Sequence, residues 1–422
     1  RGPPRERRMS EPEGSTGDGL PSLRGLRVIE LGVWVAAPAA AALLADWGAD
    51  VIKVESPTGD PMRDVFGSLG VEGDLPNPAF ALDNRGKRSI VLDLRDKADR
   101  SRLEQLLSAA DVFISNLRPD ALDRLDLAPS ATVARHPHLV YCSVSGYGLR
   151  GADRDRPTYD IGAFWARSGL AVQMADADGS PLNARGGVGD HITGLAALAG
   201  VLAGVLDQRA TGRGRVVEVS LLRTGAYILG WDLGLQMALG RVAGSEPRHK
   251  NQAPLMNPYR TADGRWFFFT GLEAERHLPS VLRALGRPEL VADPRFTSAT
   301  AIRRHRTEVI ALLDEIVAER TMAEWATRFD EEGVWWAPAH SPAEVVADPQ
   351  FVDNGGLVEV EAGRAGTRLR SVNGPVTFSG VQRSASPRVP ALGEHTDEVT
   401  RGLTEEARAR GGKRPATGRR RM

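Results

Sequence analysis

The 422-residue chain reads as an α/β protein in which an open parallel sheet carries helices on both faces, with a smaller α+β unit further along the chain. Three observations predict this. Short apolar runs alternate with helical segments over the first half of the chain, as they do in repeated βαβ units. A polar stretch, "GSEPRHKNQ" (244–252), breaks that alternation and reads as a linker. Beyond it, "YRTADGRWFFFTG" has the form of a hairpin, with Asp263–Gly264 as the turn between apolar strands.

Taken in order, "LRVIEL" is a short buried strand, "PAAAALLADWG" an Ala-rich helix closed by Gly48, and "ADVIKVE" a second strand. "RSIVLDL" is a strand, "RSRLEQLLSAA" an amphipathic helix, "DVFISN" a strand, "ATVARH" a helix and "LVYCSVSG" a strand. Ligands of such sheets sit beyond the carboxyl ends of the strands, where "GVWVAAP", "SNLRP" and "SGYG" fall. After Asp190 a long helix carries Ile192, Leu195, Leu198, Leu202 and Val205 on one stripe, and "GRVVEVSLLRTGAY" follows as a polar strand. Segments around "HLPSVLRAL", "RTEVIALLDEIVAER" and "MAEWATRF" supply helices for the smaller unit, and the chain from 355 to 403 returns to short strands. The division expected is a disordered leader (1–22), the first part of a large α/β domain (23–243), a small α+β domain with linkers (244–345), a C-terminal segment returning to the large domain (346–404) and a disordered basic tail (405–422).

Composition narrows the function. Lys+Arg and Asp+Glu both number 54, so no whole-chain field favours nucleic acid or an anionic membrane. Cys142 is the single cysteine, which rules out an internal disulfide framework and fits a cytoplasmic location. The apolar stretch Leu31–Leu44 falls short of the roughly 20 residues a spanning helix needs. The turn after the first strand, "LGVWVAAPA", lacks the G-x-G-x-x-G that would cradle a dinucleotide. No H-E-x-x-H or comparable ligand cluster argues for a catalytic metal. A small-molecule partner is the expectation that survives.

"GGVGDHITGLAALAG" (186–200) sets Asp190 between a glycine hinge and an apolar helical run. Asp is a strong N-cap residue, since its oxygen accepts first-turn N–H groups and its charge suits the positive end of a helix. On these fifteen residues alone, a plain cap and a chemical role are both open.

The motifs "LRGLRVIELG", "LADWGADVIKVESPTGDPMR", "NRGKRSIVLDL", "DVFISNLRPDALDRL", "LVYCSVSGYG", "YDIGAFWARSG", "VGDHITGLAAL", "TGRGRVVEVSLL", "DPRF", "DPQF" and "LGEHTDEV" give the chain from about Leu23 to Thr400 a resemblance. In their order and spacing it resembles the class III (CaiB/BaiF-type) CoA-transferases, a family that includes formyl-CoA and carnitine CoA-transferases. The resemblance implies a Rossmann-like large domain completed by the C-terminal segment, a smaller middle domain and an interlocked homodimer. It implies an enzyme that moves CoA from an acyl-CoA thioester to a carboxylic acid, with no bound cofactor or metal.

In that family the aspartate of the "GD" pair is the nucleophile, and Asp190 occupies its place. The resemblance implies an aspartyl-CoA intermediate, and a helix N-terminus would keep the carboxylate ionised for attack. Gly186, Gly187 and Gly189 would let backbone approach the substrate and offer amides to its oxyanion. Lys87, Arg88, Asn116 and Arg124 match positions expected to contact CoA, although Lys87 and Arg88 also read as a solvated pair ahead of a strand. Asp160 in "TYDIG" stands where relatives place an acidic active-site residue, with a structural salt bridge as the alternative.

Two departures argue against formyl and oxalyl substrates. Val35 replaces a glutamine after the first strand, and "HKNQAPLMNP" has no polyglycine flap. Trp34, Trp165, Trp335 and Trp336 suit a larger or more apolar acyl group. Two other readings share the fold. One is an α-methylacyl-CoA racemase, whose "GHDINY" stretch is replaced here by "PTYDIGA"; the other is a non-catalytic CoA-binding protein, against which the intact Asp190 argues.

Overall fold

The computed structural model describes residues 19–20, 22–68, 77–175, 179–242, 247–362, 367–381 and 387–411. Most of the expected leader, part of the expected linker and the last eleven residues lie outside them. The chain divides into two compact units, one formed by 1–171, 183–241 and 353–422, the other by 172–182 and 242–352.

The first unit is built on β1 (Arg27–Leu31), β2 (Asp50–Glu55), β3 (Arg88–Val91), β4 (Val112–Ser115), β5 (Val140–Ser145) and β6 (Val216–Ser220). They form one sheet in the order β3-β2-β1-β4-β5-β6, every pair parallel. Successive side chains of a strand point to opposite faces, so each strand feeds two cores. Val28, Val51, Val112, Val140 and Cys142 pack under the helices Ala36–Asp46 and Val188–Thr211. Ile29, Ile52, Ile90, Phe113 and Tyr141 pack under Lys97–Ser108 on the other face. The chain order reverses between β1 and β4, which makes the crevice at their carboxyl ends the expected ligand position.

The Ala-rich helix and the long helix meet through small residues. A Cβ added at Gly194 would stand 3.0 Å from the Ala36 carbonyl oxygen and 3.2 Å from Ala39 Cβ, and one added at Gly204 would stand 2.8 Å from Val140 Cγ1. Close approach therefore selects a buried face of Thr193, Gly194, Ala197, Leu198, Val201, Gly204 and Val205. Of the expected stripe, Leu198 and Val205 lie on that face, Leu202 packs beside it and Ile192 packs against a neighbouring cluster; only Leu195 is corrected, for it lies 40% exposed. Val188–Thr211 also has the length and hydropathy of a membrane span, a property the sequence reading did not assign to it. Its buried face packs on the Ala36–Asp46 helix, β5 and β6.

A second correction concerns "GRVVEVSLLRTGAY". The strand stops at Ser220, whose hydroxyl accepts the Arg223 N–H and starts the helix Leu221–Ile228. The returning C-terminal segment pairs β10 (Leu357–Ala362) with β11 (Thr367–Val372) in an antiparallel ribbon. It then covers the edge strand β3: His395 Nδ1 accepts the Ser89 N–H at 3.2 Å and Thr396 Oγ1 accepts that of Val91 at 3.0 Å. Edge N–H groups left open would invite another strand, and here side chains close them. The helix Thr396–Gly411 runs on through residues expected to belong to an unstructured tail.

The second unit holds the expected hairpin, β7 (Pro258–Arg260) with β8 (Trp266–Phe269), turning at Asp263–Gly264. Gly264 has φ +78°, which the turn requires and an L side chain resists. A third strand, β9 (Trp336–Pro338), joins β8 antiparallel and was not read from the sequence. Tyr259, Phe267, Phe269, Trp325 and Phe329 fill the core with the helices Ala274–Ala284, Arg306–Val317 and Met322–Glu331.

Candidate active site

The Val188–Thr211 helix starts on Gly187, whose φ of +86° only glycine adopts without cost and which offers no side-chain cap. Its cap comes from elsewhere in the chain. Asp160 Oδ2 accepts the N–H groups of Gly187 at 2.9 Å and Gly189 at 3.2 Å, while Oδ1 accepts that of Ile161 at 2.8 Å. Asp160 is 5% exposed and opens the π-helical turn Ile161–Ala166. Gly189 fits because Phe164 lies 2.6 Å from where its Cβ would be.

This arrangement corrects three expectations. Asp190 lies in the first turn of the helix and is not its N-cap. The Gly187 and Gly189 amides, expected as oxyanion donors, already donate to Asp160. The helix end is also not what sets the proton affinity of the Asp190 carboxyl. Burial, reinforced by the charges of Asp160 and Asp83 and opposed by His191, pushes it up to about 7. Gly186 keeps its place at the helix entry, and an added Cβ there would meet nothing.

His191 was not singled out from the sequence. Its Nδ1 lies 2.8 Å from the Gly187 carbonyl oxygen and its Nε2 lies 3.1 Å from Asp83 Oδ1. Asp83 is 2% exposed, on the helix Pro78–Asn84. The Asp83 hydrogen bond, ahead of the opposing effect of burial, pushes the imidazole up from its ordinary range. The adjacency of His191 to Asp190 was visible in "GDH", but Asp83 is 108 positions away and nothing local pointed to it.

The turn after β1 lines the crevice. Trp34 has φ +64°, the left-handed region that disfavours bulky residues, and its N–H donates to Asp60 Oδ1 at 3.1 Å. Asn116, expected to touch CoA, instead spends its amide on Val33, accepting the N–H at 3.0 Å and donating to the carbonyl at 2.7 Å. The Trp34 ring meets that of Tyr159 edge to face, centroids 5.8 Å apart. Tyr159 immediately precedes the capping Asp160, so the turn and the start of the long helix are neighbours.

Beneath this turn lies a buried charge network. Lys53 Nζ reaches Glu30 Oε1 at 2.8 Å, the Gly32 carbonyl at 3.0 Å and Asp60 Oδ2 at 2.9 Å. Lys87 Nζ reaches Glu30 Oε2 at 2.6 Å, the Pro38 carbonyl at 2.9 Å and Asn84 Oδ1 at 3.0 Å. Two ammonium groups thus answer two carboxylates where no water could. Burial pushes the Lys87 amine down to about 8 despite Glu30. Lys87 is therefore neither a phosphate ligand nor a solvated residue. Arg88 is corrected too: it stands at the amino end of β3, away from the carboxyl-end crevice, clamped to Asp50 at 2.6 Å and to Glu398 at 3.0 Å. Arg124 remains exposed at the end of the helix Pro119–Arg124, paired only one turn back with Asp120 at 2.8 Å.

At the carboxyl ends of β1 to β4 opens a cavity of about 440 Å³ whose lining includes Gly32, Val33, Ser56, Thr58, Arg95 and Leu117. Of these, the sequence reading had placed only the first two, within "GVWVAAP", and Leu117, within "SNLRP", at the ligand end of the sheet. Among the described residues no group of three or more His, Cys, Asp or Glu is placed to hold a metal ion.

Residues 23–396 match the model of CoA-transferase family III. An (R)-2-hydroxy-4-methylpentanoate CoA-transferase of Clostridioides difficile is 31% identical over 386 residues, which cover 90% of this chain and 95% of that one. A cinnamoyl-CoA:phenyllactate CoA-transferase of Clostridium sporogenes is 31% identical over 391 residues, 90% of this chain and 94% of that one. The crystal structure of a CAIB/BAIF family protein from Brucella suis superposes with a TM-score of 0.78 at 29% identity, covering 92% of this chain and all of that one. The names of these relatives support CoA-transferase activity, with CoA thioesters as substrates. With the parallel six-stranded sheet and the motifs that border its carboxyl edge, these likenesses establish that the chain belongs to CoA-transferase family III.

Proposed function

We propose that this protein transfers CoA from an acyl-CoA to a carboxylic acid through a covalent thioester on Asp190. The observation that carries the reading is the Asp190 carboxyl itself. It is half-buried at the entry of the long helix, and its carboxyl sits near 7, so it forms a poorly solvated, reactive carboxylate at neutral pH. The anion attacks the thioester carbonyl, giving an acyl-aspartyl anhydride and CoA thiolate. The thiolate then attacks the aspartyl carbonyl, which releases the donor carboxylate and leaves aspartyl-CoA. The acceptor carboxylate attacks that thioester, and the thiolate returns to the new acyl carbonyl to regenerate Asp190. One thioester is exchanged for another, so no outside energy source is needed.

The cavity at the carboxyl ends of β1 to β4 is where CoA would lie, and exposed Arg124 is the one member of the expected cationic set still available to a phosphate. Gly186 gives the thioester room to approach the helix entry. The Trp34–Tyr159 ring pair supports an apolar acyl group, in keeping with the branched and aromatic acids in the relatives' names. The protein would work as a homodimer.

The test uses Asp190→Asn. That variant should fold yet lose transfer by at least about 1,000-fold, since a neutral amide cannot attack the thioester. Wild-type protein given acyl-CoA without acceptor should accumulate a hydroxylamine-sensitive adduct that mass spectrometry places on Asp190. Transfer by a folded Asp190→Asn protein at near wild-type rate overturns the reading. Deuterium exchange at the α-carbon without an acceptor would instead mark a racemase.

A further inference from the structure

We propose that His191, held as an imidazolium by Asp83, is a positioning residue that supplies the positive charge stabilising the Asp190 carboxylate; this rests on reading Asp190 as the nucleophile. The geometry carries it. Both ring nitrogens face acceptors, the Gly187 carbonyl at 2.8 Å and the Asp83 carboxylate at 3.1 Å. A neutral imidazole has one N–H and would leave one contact acceptor against acceptor, whereas an imidazolium satisfies both. Asp83 cannot exchange this partner for water, being 2% exposed. The ring is fixed at both ends, and its backbone N–H also donates to the Gly187 carbonyl, at 2.9 Å.

The surrounding charges give the pair its purpose. Three charges act on Asp190: Asp160, just before the π-helical turn, and Asp83, on the Pro78–Asn84 helix, are both negative, and His191, next to it in the chain, opposes them. Lys87, just before β3, interacts with Asp83, but its ammonium is bound to Glu30. Other ionisable groups on elements packed against the helix are paired elsewhere, neutral or exposed to water. Asp46 of the Ala36–Asp46 helix pairs with Arg85, and Glu218 of β6 accepts the Leu149 N–H and pairs with Arg150. Burial pushes the Cys142 thiol of β5 up to about 12, so it stays neutral, and Arg223 of the Leu221–Ile228 helix is exposed. Without the His191 charge, two carboxylates would press on a third with little to offset them.

Removing that charge must raise the carboxyl's proton affinity, so the rise of activity with pH should move to higher pH. His191→Gln keeps a donor toward Asp83 but no charge, and His191→Lys restores a cation. The experiment follows adduct formation on Asp190 by quenched-flow mass spectrometry, from about pH 5 to about pH 9. His191→Gln should shift the acid limb upward by about one pH unit, giving ~10-fold slower adduct formation near pH 6 and a gap that narrows with rising pH. His191→Lys should move the limb back toward wild type. An unmoved limb with a uniformly lower rate makes His191 merely structural and overturns the proposal.

Should the variants not fold, nitrogen-15 spectra of labelled wild-type histidine decide the matter. Two protonated ring nitrogens at pH 7 support the proposal and a single protonated nitrogen overturns it. Failure of the nucleophile reading is seen separately, as adduct formation and transfer that survive in Asp190→Asn.

Discussion

Asp160 and Asp190 divide between them a role first read for one residue. Asp160 caps the helix and, by its charge, helps raise the Asp190 carboxyl to about 7. Asp160→Asn keeps an acceptor oxygen for the Gly187 and Gly189 N–H groups but sets an NH2 against that of Ile161, so stability should fall by about 1–3 kcal/mol. It removes a negative neighbour, so the acid limb of the pH–rate profile should move to lower pH, opposite to His191→Gln. A profile unmoved in this variant would mean that the two carboxyls do not sense each other. Stability carries the complementary signature. A carboxyl with a folded value near 7 and an unfolded value near 4 disfavours the folded state increasingly as pH rises through that interval. Asp190→Asn should therefore be more thermally stable than wild type at pH 8, and closer to it at pH 4.5.

At the scale of elements, the site depends on how closely two helices approach. The seam of Ala37, Ala40 and Ala41 against Gly194 and Ala197 fixes the long helix over the sheet, and through it the height of Asp190 above the β1 turn. Gly194→Val should force the helices apart, because a Cβ already meets the Ala36 carbonyl at 3.0 Å. The cost expected is about 2–3 kcal/mol in chemical denaturation, with transfer reduced beyond what the loss of folded protein explains. An equally stable variant would show that the seam yields. The turn after β1 is fixed by different means: Asn116 grips Val33, and Asp60 holds Trp34 in a conformation it would not adopt alone. Such held strain commonly marks functional positions.

At the scale of the molecule, one surface needs covering. The helix Gly230–Leu239 buries none of its residues, and Tyr227, Trp231 and Met237 are 84%, 82% and 82% exposed. Ile228 and Leu239 of the same stretch are exposed as well. Single chains rarely leave so much large apolar surface to water, which supports the proposed homodimer. Light scattering at micromolar concentration should give twice the mass of the 45.4 kDa chain, and Trp231→Glu should shift the protein toward monomer or aggregate. A monomeric wild type would count against the assembly.

The alternation of apolar runs and helices was enough to define the parallel sheet, because strands buried on both faces must be apolar throughout. The "DG" pair likewise sufficed for the hairpin, since its turn geometry is local. Asp190 was legible as a motif position, but its environment was not. The charges that set its proton affinity come from Asp160 and Asp83, brought to it from 30 and 107 positions away by the folding of the π-helical turn and the Pro78–Asn84 helix. The same limit explains the withdrawn CoA contacts. Lys87, Arg88 and Asn116 look like ligand-binding residues until Glu30, Asp50 and the Val33 backbone are brought to them. A residue's type and its neighbours in the chain determine what it can donate or accept; only the packed structure decides whether a partner inside the protein has already taken it.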